Sequence, residues 1–182
     1  FPTRRSSDLG SLDAFNKEIK DEGTPPFGMG IGINTGVVVV GNMGSEQRFD
    51  YTCLGDGVNL ASRLEGQSKP YHVAMVIGPK TNEYVKDTYF TLPLDCIAVK
   101  GKKEGVNIFT VLPCDMETRL RYKEARRNHN HMLDDYNAQR FDSAIATCKQ
   151  LKGSFDGQMD GYYDMWIVDD CSTDNTVEVA KQ

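Results

Sequence analysis

The sequence predicts an α/β or α+β sandwich followed by a helical tail. Three observations point there. Between residues 27 and 112, short β-like runs alternate with helix-length segments, and glycine, proline or asparagine turn signals punctuate them. After Pro113 the pattern turns charged and takes helical spacing. The hydrophobic fraction of 39% and charged fraction of 26% are those of a soluble globular chain, and 182 residues suffice for one cored domain with an appendage.

Leu12, Phe15 and Ile19 keep helical spacing, so 11–22 reads as a helix end, stopped by Gly23-Thr24-Pro25-Pro26. Residues 27–42 hold two β-like runs, Met29 to Ile33 and Val37 to Val40. Asn34-Thr35-Gly36 joins them, which predicts a hairpin. Phe49 to Leu54 is a third strand. Gly55-Asp56 opens a helix running to Gly66, with Asp56 as a natural N-cap. Val73 to Ile77 reads as a strand and Pro79 to Val85 as a short helix. Tyr89 to Val99 and Val106 to Leu112 are the arms of a final hairpin across Gly101 to Gly105. Residues 116–138 and 141–152 read as two helices, with Tyr136, Phe141, Ala144, Ala146 and Leu151 spaced like one helix-turn-helix repeat unit. A single unit makes no solenoid, so it is expected to pack on the preceding domain or to continue into further sequence.

The two ends read differently from the rest. Phe1 to Leu9 (FPTRRSSDL) has no apolar core for a signal peptide and reads as a translated adapter, so 1–10 is set aside as an artefact. Ile167 to Gln182 reads as an apolar strand end, an acidic pair, a Ser/Thr/Asp turn and a helix start. It resembles the VDDxSxDxT segment of inverting glycosyltransferases, which would set Asp169 or Asp170 beside a nucleotide base. The competing reading is a helix cap, Asp170 or Ser172 capping a segment from Thr176. The expectation is a foreign segment at 167–182 without glycosyltransferase activity.

Charge and cysteines narrow the class. A net charge of -5 argues against a nucleic-acid partner, which needs a basic face. The cysteines at 53, 96, 114, 148 and 171 form no CxxC and no zinc spacing, so free thiols in a reducing compartment are expected. His129-Asn130-His131 reads as a solvated helix face rather than a metal site, because no further ligands stand at suitable spacing. No run is long and apolar enough to cross a bilayer, so no membrane contact is expected from this segment. Gly30, Gly32 and Gly36 make GxGxxxG with no helix following, which is not a dinucleotide fingerprint.

The chemistry concentrates in Arg48 to Gly66 (RFDYTCLGDGVNLASRLEG). Asn59 and Arg63 are four apart and project side by side from one helix face, while Leu60, Ala61 and Leu64 lie on a neighbouring face that can enter a core. A guanidinium presents fixed donors to phosphate oxygens, and an amide both donates and accepts toward a sugar. On spacing alone an Asn and an Arg on a helix are usually ordinary solvated surface residues.

The surrounding motifs bear on that choice. GIxxGxVVxGNxG from Gly32, DYTxxGDxVNxAxRLE from Asp50, and Val99-Lys100-Gly101-Lys102 stand in the order found in class III adenylate and guanylate cyclases, which the chain resembles from about Leu12 to Leu112. The resemblance implies an α+β fold, the ferredoxin-like-derived sandwich of the cyclase catalytic domain in incomplete form. It divides the chain into a C-terminal half of that domain at 11–113 and a helical tail at 114–166. It implies conversion of ATP to cyclic AMP and pyrophosphate for intracellular signalling, by attack of the 3′-hydroxyl on the α-phosphorus. Arg63 would stabilise the developing phosphoryl charge, Asn59 would orient the ribose, and Lys100 would bind the terminal phosphates.

Base choice in the family goes with the position seven before the Asn, which is Thr52 here. Asp or Thr there accompanies adenine and Cys accompanies guanine. Cys53 is one place out of register, so ATP is favoured, with a guanylate cyclase or a non-catalytic dimerisation or nucleotide-binding module as alternatives. The family's two Mg²⁺ or Mn²⁺ ions are held by aspartates that precede the matched span, so no metal ligand is assigned and the chain alone is expected to be inactive. The resemblance further implies a homodimer in the intact protein and a cytoplasmic location, including as the cytoplasmic part of a membrane-anchored parent.

Overall fold

The computed structural model describes residues 11–12, 14–20, 25–45, 48–98 and 105–168. After a helix over 14–20 (α1), the chain forms β1 (Ile31–Ile33), β2 (Val39–Ser45), β3 (Arg48–Leu54), α2 (Asp56–Gln67), β4 (Met75–Ile77) and α3 (Pro79–Val85). It continues through β5 (Phe90–Ile97), β6 (Val106–Leu112), α4 (Met116–Asn137), α5 (Phe141–Leu151) and α6 (Asp160–Val168). A mixed four-stranded sheet has the order β1-β4-β6-β5, and β2 and β3 form a separate two-stranded ribbon. The architecture is α+β, as predicted.

The predicted hairpin across Asn34-Thr35-Gly36 does not form. β1 pairs in parallel with β4, Ile31 opposite Met75 and Ile33 opposite Ile77, while β2 pairs antiparallel with β3. The cause is helix α2, which lies on β1. A Cβ on Gly32 would stand 2.2 Å from the Ala61 carbonyl oxygen, and one on Gly30 would stand 2.0 Å from Ser68 Oγ. The glycines of this run therefore admit a helix rather than close a turn. Asn34 donates from Nδ2 to the Gly57 carbonyl at 3.1 Å, and the Gly78 amide donates to Ile33 O at 2.9 Å. These bonds carry the chain away from β1 and leave the valine run to pair with β3.

The two arms of the final hairpin pair as read, β5 against β6 from Phe90↔Leu112 to Ile97↔Val106, while residues 99–104, with most of the turn, lie outside the described residues. Its register shifts between Pro93 and Asp95, a bulge at Leu94. Proline lacks the N–H that a central strand needs, and β5 is indeed an edge of the sheet. Both tail helices appear close to their predicted bounds. A third, α6, extends through Ile167 and Val168, which the sequence reading placed at a strand end. Residues 169–182, with the rest of that reading, lie outside the described residues.

The core joins sheet and tail. Leu60 and Leu64 of α2, Leu92, Leu94 and Ile108 of the hairpin, and Tyr122, Met132, Cys148, Phe155, Met159, Tyr162 and Tyr163 of the tail belong to one buried cluster. Two tail readings need correction. Ala146 faces solvent and Cys148 takes its place inside, because 148 completes the Ala144 and Leu151 stripe at helical spacing. His129 is not on a solvated face: it is fully buried, while His131 is exposed. Position 129 falls on the same stripe as Tyr122, Ala125 and Met132, so α4 turns it inward.

Candidate active site

Helix α2 carries the candidate site, and its start is built by backbone. Gly55 is the N-cap residue, at φ 146, and no side chain caps the helix. The predicted cap, Asp56, is the first helical residue instead. Its carboxylate sits where the positive end of the helix dipole favours an anion. Gly55 is suited to that role because few side chains tolerate such a φ, and a Cβ there would meet the Val37 carbonyl at 3.2 Å. Gly36 and Gly57 also face each other closely, and Asn34 holds the Gly57 carbonyl, so the 34–38 connection braces the first turn of α2.

From there the helix has two faces. Leu60 and Leu64 are buried against the sheet. Asn59 and Arg63 are exposed, one turn apart, about 6 Å along the axis. An amide and a guanidinium thus leave a helix whose neighbouring face is anchored in the core. Thr52 lies on β3 opposite Gly41, also exposed, three residues before the turn at Gly55. Side chains alternate along a strand, so Thr52 and Cys53 stand on opposite faces of the ribbon. Lys100 lies outside the described residues. The described structure therefore places Asn59 and Arg63 together on one helix and Thr52 on the strand that leads into it.

Asn34 was missed as a positioning residue by sequence reasoning. Its signal, Asn-Thr-Gly, is shared with ordinary turns, and only the fold shows the amide reaching Gly57. Among the described residues no three His, Cys, Asp or Glu side chains gather as a metal site. The divalent ions of the resembled family therefore have no fitted ligand set among those residues.

Comparison with known proteins agrees with the motif reading. The family described as "Adenylate and Guanylate cyclase catalytic domain" matches residues 7–112. Adenylate cyclase 1 of Rhizobium meliloti (strain 1021) is 38% identical over 101 residues, covering 56% of this chain and 15% of that protein. An adenylate cyclase of Anabaena cylindrica is 39% identical over 111 residues, covering 56% of this chain and 22% of that protein. The crystal structure of the adenylyl cyclase CyaB from P. aeruginosa aligns with a TM-score of 0.53 and 34% identity, covering 59% of this chain and 54% of that one. This chain thus spans a minor part of the two relatives and about half of the solved structure, and within that span the chain belongs to the adenylate and guanylate cyclase catalytic-domain family.

Proposed function

We propose that this segment supplies the ribose- and phosphate-facing side chains of a nucleotidyl cyclase that converts ATP to cyclic AMP and pyrophosphate. The observation that carries the reading is the pairing of exposed Asn59 and Arg63 on a helix whose other face is buried. Cyclisation forms a bond between the 3′-oxygen and the α-phosphorus and breaks the bond to the β-phosphate bridging oxygen. The 3′-hydroxyl proton passes to water, and pyrophosphate departs with the bridging oxygen. Negative charge spreads over the phosphoryl oxygens as this happens, and a guanidinium held in place by a rigid helix stabilises it without reorganising. Asn59 positions the ribose so that the attacking oxygen is in line. Lys100 receives the leaving phosphates. Thr52, seven residues before Asn59, is assigned to the adenine edge, and Cys53 is left out of that role because it is one place out of register.

A second copy of the chain is the proposed partner, in a cytoplasmic setting. The β2–β3 ribbon supports this, because it leaves Tyr51 at 77% and Val39 at 65% exposure, with Val40 and Leu54 also exposed, and Val37 just before it is exposed too. An apolar ribbon of two strands is a poor surface to leave in water. Among the described residues no helix is long and apolar enough to cross a membrane.

The deciding experiment mixes this chain with a family N-terminal half carrying the two metal-binding aspartates. ATP or GTP is added with Mn²⁺ and cyclic product is measured. The chain alone is expected to be silent, and the mixture to form cyclic AMP in preference to cyclic GMP. In the mixture Arg63→Ala lowers the rate by roughly a hundredfold or more, as expected for a lost transition-state donor. An unchanged rate removes Arg63 from its role, and product from the chain alone overturns the dependence on supplied aspartates.

A further inference from the structure

The tail lies along the edge of the sheet in matching order. Arg119 donates to the carbonyls of Lys86, Asp87 and Thr88, at the end of α3. One turn on, the Tyr122 ring meets Phe90 edge-on at 5.4 Å, and the Arg126 guanidinium lies over the same Phe90 ring at 5.7 Å. Another turn on, His129 Nε2 is 2.7 Å from the Pro93 carbonyl oxygen. From α6, Tyr162 donates its hydroxyl to the Leu94 carbonyl at 2.7 Å. Positions along α4 therefore meet, in order, the turn after α3, then Phe90 and Pro93 of β5, the edge strand of the sheet.

The bulge explains the two adjacent carbonyls. In a regular strand consecutive carbonyls point to opposite edges, and only one of each pair is open to a neighbour. The irregularity at Leu94 breaks that alternation, and both carbonyls are taken by buried tail side chains. A carbonyl only accepts, so His129 Nε2 carries the proton, and Nδ1 accepts from the Tyr163 hydroxyl at 2.9 Å. One imidazole thereby links β5, α4 and α6.

We infer that the tail is a strap that sets the pose of strand β5, with His129 as its positioning residue and the Pro93–Leu94 bulge as its catch. In sequence Lys100 follows the end of β5 by three residues, so on the cyclase reading the pose of the strand bears on the lysine assigned to the leaving phosphates. This second step rests on the cyclase reading, and the first does not.

Hydrogen exchange on the full chain tests the strap without reference to activity. His129→Phe keeps a ring but leaves the Pro93 carbonyl unpaired. It is expected to speed exchange in peptides covering Phe90–Ile97 by about tenfold, the effect of losing one good hydrogen bond. Ser143 donates to Asp135 where α4 meets α5, so Ser143→Ala loosens that corner without touching β5 and is expected to leave those peptides unchanged. The strap is overturned if His129→Phe leaves β5 exchange as it was, or if Ser143→Ala accelerates it equally. Should His129→Phe fail to fold, Tyr162→Phe removes one hydroxyl from Leu94 and is read the same way. In the mixed cyclase assay, His129→Phe is expected to raise the KM for ATP about tenfold with a smaller change in kcat. Turnover by wild type with an unaltered KM in the variant severs the link from β5 to Lys100. No turnover by wild type fails the cyclase reading instead, and exchange still decides the strap.

Discussion

At position 32 a methyl group has nowhere to go. The atoms that would meet it are the Ala61 carbonyl oxygen and the Glu65 amide nitrogen, both helix backbone. Gly32→Ala must therefore push α2 off β1, and we predict a loss of about 3 kcal/mol of stability by urea unfolding, at the upper end of overpacking costs. His129 makes a second prediction. Burial pushes its pKa down to about 4, with Arg126 adding in the same direction and the Pro93 hydrogen bond opposing. An unfolded histidine titrates near 6.5, so between about 6.5 and 4 the unfolded chain takes up a proton that the folded chain refuses. Stability therefore falls as pH falls through that window, by about 3 kcal/mol in all, and this contribution is level below it. His129→Phe is expected to be less stable at neutral pH yet to lack that slope. Urea midpoints between pH 7.5 and 4 check this, and equal slopes in both proteins would refute it. Asp135 adds to acid loss only lower down, because hydrogen bonds from Ser143 and Arg140 hold its carboxyl below the usual range.

At the scale of elements, two helix ends are satisfied by side chains. α4 starts at Asp115, whose carboxylate accepts from the Thr118 amide at 2.8 Å. The end of α3 and the turn after it are met from a distance by the Arg119 fork on three carbonyls. Arg119→Ala leaves those carbonyls to water and is predicted to cost about 1 kcal/mol, a partly exposed set of bonds, measured as a lowered thermal midpoint. The β2–β3 ribbon is the element with the least cover. We predict that Val39→Lys shifts the sedimentation of the full chain toward monomer while leaving its circular dichroism unchanged. A dimer that survives this change would place the interface elsewhere.

For the whole molecule, the buried cluster runs without interruption from α2 through the β5–β6 hairpin to α6. Aromatic contacts knit the junction, Phe90 with Tyr122 and Phe155, and Tyr71 with Tyr162. A shared core melts as a unit. We predict one thermal transition, with the calorimetric and van't Hoff enthalpies in agreement. Two resolved transitions would show that the tail has a core of its own.

Local pattern by itself determined a good deal. The Pro79–Val85 helix, the β6 strand, the two charged helices and the α2 stripe of Leu60 and Leu64 all follow from periodicity, propensity and turn residues acting over a few positions. So did the neighbouring placement of Asn59 and Arg63, since four residues make about one helical turn. Only tertiary structure decided which strands pair. The run Gly30-Ile31-Gly32 reads as half of a hairpin until a helix 30 residues away is found lying on it. His129 likewise carries no local mark of burial. Its neighbours Asn130 and His131 are exposed, and its partners, Pro93 and Tyr163, stand 36 and 34 residues away. Short-range chemistry specifies helices and strands because their hydrogen bonds and side-chain periods are local. Pairing, burial and the aim of a side chain depend on surfaces that meet only after the chain has folded back on itself.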